Sequence, residues 1–320
     1  MPVEMLWHFL RMSRWKPPGL ADDGGRRADL FRAAMQQFEE LMRAAAGTGP
    51  ASSPLLVYYA LNQAGRAVLA VREQDDAEVF AKAEGHGLTV NRGSVGLDLL
   101  TVTIKPKAAS IGHFQRVAMA TGSPVLQDLG AVTLGALLAS LPELADSWGD
   151  DRWPATAGVY PLMDLVPRRG MSSVMDASLF LKGWARVAVL SDVVQGPKDV
   201  GRLEELYPTI RGRGAHLPIA GADNLPGRLE FTTPAGVGFE LRLSVPPDSK
   251  APVSDYQALL DAIAPEYRWL ERRWLRPELQ QGVPPPSALM TWWVVLYALS
   301  MLARYFPTAW TAALSLDTSP

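Results

Sequence analysis

Residues 53–72 read SPLLVYYALNQAGRAVLAVR, and this stretch decides the fold class. Ser53 is a good N-cap and Pro54 a good first helical residue: a serine hydroxyl accepts from an otherwise unpaired backbone N–H, and proline has no N–H to leave unpaired. From Leu55 to about Arg72 the stretch then reads as a helix, because Leu56, Ala60, Ala64, Ala67 and Val71 recur at spacings of three and four. These are mostly small side chains, so the seam predicts a neighbouring helix that approaches closely. The opposite side carries Tyr59, Asn62, Gln63 and Arg66.

Outward from this helix, Leu30, Phe31, Ala34, Phe38, Leu41 and Met42 predict a preceding amphipathic helix, ended by the turn residues from Gly47 to Pro50. At the amino terminus the apolar residues Met5, Leu6, Trp7, Phe9 and Leu10 come before the basic ones, Arg11, Arg14 and Lys16, which is the reverse of a secretory signal. Downstream, Leu99 to Ile104 and Ala185 to Leu190 are rich in β-formers and predict strands. Leu229–Thr233 and Val237–Val245 flank Pro234-Ala235-Gly236 and predict a hairpin. Between these, Thr133 to Ala145 carries Leu134, Leu137, Leu138 and Leu141 at helical spacing before Pro142, a short buried helix and a turn.

The carboxy-terminal part predicts a helix from about Ser254 to Ile263, then a stretch with Trp269, Arg272, Arg273 and Trp274, then a rigid spacer at Pro284-Pro285-Pro286. Ser287 opens the most apolar helix of the chain, which stops before Pro307, and a short helix through Trp310 follows. The run from Ser287 to Ala303 holds no charge, and its length is at the low edge for a membrane span. Arg304 closes it, and the expectation is a helix buried by protein in a water-soluble, cytoplasmic fold.

The expected fold class is therefore α+β with a helical majority, its amino- and carboxy-terminal helices packed together beside a mixed β-containing middle. The regions are 1–84, helical; 85–250, mixed; and 251–320, helical and packing on the first, with a single compact domain also allowed. With 48% hydrophobic and 20% charged residues, the 320-residue chain can bury a full core. A net charge of −2 gives no global field for nucleic acid, so any polyanion must meet a local patch. The absence of cysteine excludes disulfides, thiolate metal sites and cysteine nucleophiles.

Three stretches, in order along the chain, resemble the YaaC-like family of bacterial proteins. They are Ser53 to Asn62, followed by His86-Gly87-Leu88; Leu134 to Leu144, a leucine-rich segment with Pro142 and Glu143; and Leu299 to Pro307 with Trp310. Arg66 departs from the lysine frequent in that family, which removes lysine-specific chemistry there but keeps a cation. The resemblance implies a cytosolic bacterial protein and supplies no reaction.

Candidate chemistry is sparse. Tyr59, Asn62 and Arg66 offer a phenol, an amide and a cation within two helical turns, a set able to grip a phosphate or a base edge. The plainer reading makes Tyr58 and Tyr59 core aromatics and Asn62 the partner of a backbone group. His86 sits between two glycines, where its imidazole can face a cleft. Lys105, Lys107, His113 and Arg116 form a basic group near Gly112, either an anion-holding loop or a solvated strand end. Arg211 and His216 have the spacing of the small helical ribonucleases called HEPN domains, but Gly212 and Gly214 between them each cost a helix about 1 kcal/mol. No phosphate-loop or nucleophile-elbow pattern is present, and the histidines have no metal-ligand spacing.

The expected ligand-binding set is Tyr59, Asn62, Arg66, His86, Lys105, Arg304 and Tyr305, with Arg304 brought to the Tyr59 face by packing of the terminal helices. It assigns no catalytic residue, no metal and no cofactor, and leaves open whether the protein is an enzyme. The expected function is a binding or adaptor protein for a nucleotide-like or nucleic-acid ligand; the alternative is a hydrolase or nuclease effector in bacterial antiviral defence. The expected partners are a nucleotide or nucleic acid at a local basic patch and a protein partner or second copy of the chain, without a membrane.

Overall fold

The computed structural model describes residues 3–80, 85–96, 98–107, 111–126, 130–141, 143–144, 276, 279 and 285–314, and the strand backbone at 160–163, 186–189, 230–233, 236–240, 268–269 and 272–275. The chain divides into two compact units, Met1–Leu137 with Leu289–Pro320, and Leu138–Ala288.

In the first unit, α1 (Val3–Trp15) leads through a 3-10 turn into α2 (Gly25–Ala46) and α3 (Ser53–Arg72). Gly24 and Gly25 enter α2 with φ of 82° and 68°, a left-handed backbone that other residues rarely adopt. Phe31, Ala34 and Met35 of α2 meet Ala67 and Ala70 of α3 in one buried cluster with Ala21. Helix α3 begins slightly earlier than its sequence predicts. Ser52 stands at the N-cap without a side-chain hydrogen bond, Ser53 is already helical, and its N–H reaches the Gly49 carbonyl at 3.0 Å. The seam also differs: Leu56, Ala64 and Val71 are only half-buried, whereas Tyr58, Gly65 and Leu69 are buried along with Ala60, Ala67 and Ala70. The reason is that α3 packs on two sides, so no single stripe describes its buried surface.

At the end of α3, Arg27 of α2 donates to the carbonyls of Glu73 (2.6 Å) and Ala70 (3.2 Å) and pairs with Asp76 of the short α4 (Asp76–Phe80). A cation there is favoured by the helix dipole. Next comes a three-stranded antiparallel sheet of β1 (Leu88–Val90), β2 (Thr103–Pro106) and β3 (Val132–Thr133), with Val90 opposite Ile104 and Ile104 opposite Val132. The strand predicted over Leu99–Ile104 is thus displaced. Residues Leu99–Thr101 form a 3-10 turn because the Asp98 carboxylate accepts from Leu100 N–H at 2.9 Å, a local bond that competes with strand pairing.

Helix α5 (His113–Thr121) packs on α3, and α6 (Leu134–Ala139) is the predicted short leucine helix, with Leu134 and Leu137 buried. Helix α7 (Ala288–Tyr305) is the predicted apolar helix, and α8 (Pro307–Leu314) follows it. By length and composition α7 is able to cross a membrane, but half of it is buried against protein. It runs antiparallel to α3, for Trp293 meets Gly65 while Arg304 meets Tyr59. A Cβ on Gly65 would stand 2.4 Å from Trp293 Cη2, so only glycine allows this approach. Trp310 of α8 donates its indole N–H to the Ala51 carbonyl at 3.0 Å, just before α3. The amino- and carboxy-terminal helices therefore share one core, and the fold is α+β with a helical majority.

In the second unit, β4 (Tyr160–Met163), β5 (Arg186–Val189), β6 (Glu230–Thr233), β7 (Gly236–Glu240), β8 (Arg268–Trp269) and β9 (Arg272–Leu275) pair in the order β6-β7-β5-β4-β9-β8, antiparallel throughout. The hairpin read from Pro234-Ala235-Gly236 is the β6–β7 pair. The buried Arg276 guanidinium donates to the Ser140 carbonyl (2.8 Å) and hydroxyl (2.9 Å). The helix predicted over 254–263 and the Arg211–His216 pair lie outside the described residues.

Candidate functional site

The site grows from three elements that meet in the first unit: α3, the Gly85-His86-Gly87 loop before β1, and α7. The loop is held tightly. Both its glycines have φ of 78°, and a Cβ on Gly87 would fall 1.9 Å from Gln115 Oε1. Gln115 of α5 donates to the Gly87 carbonyl at 2.7 Å and accepts from Gly112 N–H at 3.1 Å, while Lys107 N–H also reaches the Gly87 carbonyl at 3.0 Å. These bonds fix His86 on a backbone that only glycines permit.

His86 then packs in an aromatic cluster. Its ring lies 5.3 Å from Tyr58 and 5.9 Å from Tyr297, and Tyr58 and Tyr297 are 5.5 Å apart in edge contact. The Tyr297 hydroxyl donates to the Leu88 carbonyl at 2.8 Å, and burial pushes its pKa up to about 12. Tyr58 is 1% exposed, and burial raises its phenol well above the usual range, although Asn62 and Trp293 nearby act in the opposite direction. Neither the Tyr58 hydroxyl nor the Trp293 indole N–H has a hydrogen-bond partner, and both are buried. By strict geometry these are two adjacent orphans, but the Trp293 indole and the Asn62 amide both stand close enough to the Tyr58 hydroxyl to favour its ionised form.

Two histidines flank the orphans. His113 of α5 donates from Nε2 to the Asn62 carbonyl at 3.1 Å, which fixes that tautomer, and burial pushes its pKa down to about 4. His86 is also held below its ordinary value, by burial and then by the charge of Arg304. Both imidazoles are therefore neutral near pH 7, and the cations of the site are arginines.

At the solvent edge Arg304 ends α7 between two phenols. It donates to Tyr59 Oη at 3.3 Å and Tyr305 Oη at 2.9 Å, with its guanidinium 4.9 Å from the centre of the Tyr305 ring. Tyr59 and Tyr305 are 37% and 50% exposed. Among the described residues, ion pairs engage Arg11, Arg14, Arg27, Arg32, Arg43 and Arg116, but neither Arg66 nor Arg304.

Of the residues singled out in the sequence, Tyr59, His86, Arg304 and Tyr305 thus gather in one place. Asn62 is on the same helix, but its amide donates to the Tyr58 carbonyl one turn back, at 2.8 Å. Arg66 is exposed seven residues beyond Tyr59, roughly 10 Å along the helix axis, where its charge acts on His113. Lys105 is exposed on β2 opposite Thr89, and no contact among the described residues joins it to the cluster. The basic group around Gly112 is divided: Lys105 and Lys107 face solvent, His113 is buried, and Arg116 pairs with Glu78 at 3.1 Å. Sequence reading missed Trp293 and Tyr297. Their signal was faint but present, as aromatics with polar tips inside the uncharged run from Ser287 to Ala303.

The fold and site define a helical-majority α+β protein with a buried aromatic cluster edged by arginine. The family model described as YaaC-like Protein matches residues 12–158 and 232–320. This chain belongs to the YaaC-like family, and each residue of the cluster described above lies within the matched stretches. No curated protein and no solved structure matches it.

Proposed function

We propose that this protein is a binding or adaptor protein whose cleft between α3 and α7 takes a nucleotide-like ligand, free or as part of a nucleic acid. The observation that carries the reading is Arg304: a guanidinium positioned by two partly exposed phenols, with no carboxylate partner among the described residues. A planar guanidinium matches the oxygens of a phosphate, and the adjoining tyrosine faces offer a stacking surface for a base. Arg66, farther along α3, provides a second cation for a ligand that extends along the helix. The groups present favour recognition over reaction, since His86 lacks a neighbouring nucleophile or carboxylate among its described contacts.

Calorimetric titration of a nucleotide panel and short oligonucleotides tests this. Charge-assisted hydrogen bonds of this type contribute about 1.5–3 kcal/mol, so Arg304→Ala should weaken binding by roughly tenfold or more. Arg304→Lys should recover only part of the loss, because a point charge does not reproduce the planar fork. Arg66→Ala should weaken the longer ligands most. Absence of nucleotide binding by the parent, or equal binding by Arg304→Ala with an unchanged melting temperature, would remove the proposal.

A further inference from the structure

A second cation-rich place lies away from this cleft, between α1 and α2. An open cavity of about 770 Å³ is lined there by Arg11, Arg14, Trp15, Arg32, Ala33 and Gln36. That lining has three guanidiniums and no carboxylate. The acid that organises it lies beneath: Glu39, with a side chain only 7% exposed, pairs with Arg11 (2.7 Å), Arg14 (2.7 Å) and Arg43 (2.5 Å). Arg32 in turn pairs with Asp29 at 3.5 Å, and Glu40 accepts from Gln36, so four guanidiniums stand near three carboxylates and the surplus of positive charge is small. Arg14 also donates to Gln36, and Arg32 donates from Nε to the Arg14 carbonyl at 3.1 Å, so the guanidiniums are held in place before any ligand arrives. Preorganisation of this kind lowers the entropic cost of binding.

Trp15 is the second half of the observation. It ends α1 at 86% exposure, the most exposed large apolar side chain described, beside the arginines that line the same cavity. An open indole next to guanidiniums that share their acids suits a ligand that is aromatic at one end and anionic at the other. We infer that the α1–α2 cavity is a second binding site, for a nucleoside phosphate that stacks its base on Trp15 and sets its phosphate among Arg11, Arg14 and Arg32. The cavity is in the size range of small-ligand sites. The same chemistry is presented by a free mononucleotide and by one unit of a single-stranded nucleic acid. This inference does not rest on the α3–α7 cleft.

Fluorescence anisotropy of a labelled single-stranded DNA 12-mer on the full chain tests it, with adenosine monophosphate and inorganic phosphate as competitors. Trp15→Ala and Arg32→Glu are the variants, since both side chains are exposed and neither touches Glu39, and each is also placed in an Arg304→Ala background. Arg32→Glu should weaken binding by roughly tenfold and Trp15→Ala by roughly fivefold, in both backgrounds, at unchanged melting temperature. Competition by adenosine monophosphate identifies a mononucleotide site, and competition by unlabelled 12-mer alone identifies a strand site; either supports the inference. Undiminished binding by both variants would overturn it. So would inorganic phosphate competing as well as adenosine monophosphate, or binding to phosphatidylserine vesicles in place of the oligonucleotide. Loss only on Arg304→Ala would place all binding in the first cleft and leave this site refuted.

Discussion

Helix α3 has two faces of opposite character. Toward α2 it presents Ala67 and Ala70 to Phe31, Ala34 and Met35, a seam of hydrocarbon with no polar atom to satisfy. Toward α5 and α7 it presents Tyr58 and Gly65 to Trp293 and Tyr297, with His86 and His113 alongside. The second face is buried almost as deeply, yet it holds two neutral imidazoles and two polar atoms without partners. A helix can thus draw its stability from one side and keep polar, costly groups on the other. Costs of that kind are expected at functional sites rather than in plain core.

The comparison implies that damage to the hydrocarbon seam has the largest effect on stability. Phe31 is 5% exposed within that seam. Phe31→Ala should destabilise the protein by about 3–5 kcal/mol, the range for emptying a core aromatic site. Urea unfolding checks this, and a loss below about 1 kcal/mol would break the contrast by showing that the seam is not the main support.

The aromatic face should instead declare itself through pH. Burial keeps His113 neutral in the folded protein down to about 4, whereas a solvated imidazole titrates near 6.5. Between those values the unfolded chain binds the additional proton, so stability rises with pH across the window. The contribution is complete above 6.5 and is lost as pH falls toward 4, a change of about 3 kcal/mol for one such group. His86 shifts in the same direction. Glu39 acts in the same direction at lower pH: its hydrogen bond from Arg11 holds its carboxyl below the ordinary 4.5, so its contribution is present above 4.5 and fades only at more acid pH. Unfolding free energies measured from pH 7 to 4.5 should therefore fall steadily in the parent and less steeply in His113→Gln. Equal slopes would show that His113 is protonated, and hence more solvated, in the folded state.

The two faces were unequally legible. Hydrophobic spacing marks α2, α3 and α7 because helix periodicity is local, whereas the expected meeting of the terminal helices rests on the family resemblance, which is strongest in the first and last regions. The aromatic face was hidden because its members are far apart in sequence: Tyr297 bonds Leu88, and Trp293 seats on Gly65. Nothing in the spacing of Ser287 to Ala303 says which aromatic meets a glycine. Lys105 shows the reverse problem. Charge and strand position made it a candidate, but strand alternation turns Ile104 inward and leaves Lys105 at the surface. Asp98 moved the strand itself, a capping effect that β-propensity does not see.

The smallest expected effect on stability is also the sharpest test of what the second face is for. Tyr58→Phe removes a single oxygen from a side chain that is 1% exposed, and that oxygen makes no well-aligned hydrogen bond, with only Asn62 and Trp293 close enough to act on it. The ring contacts with His86 at 5.3 Å and Tyr297 at 5.5 Å are retained. A buried hydroxyl without a partner costs roughly 1–3 kcal/mol in desolvation, so its removal should leave stability unchanged or raise it by up to about 1 kcal/mol after local adjustment. In an ordinary, fully satisfied core the same change would lower stability by about 1 kcal/mol through the lost hydrogen bond. Urea unfolding of parent and variant decides between these signs. A clear loss on Tyr58→Phe would mean that the hydroxyl is satisfied in solution and that the two faces of α3 differ only in shape. A gain, accompanied by weaker nucleotide binding in calorimetry, would mean that the protein bears an unfavourable buried group because its ligand needs it.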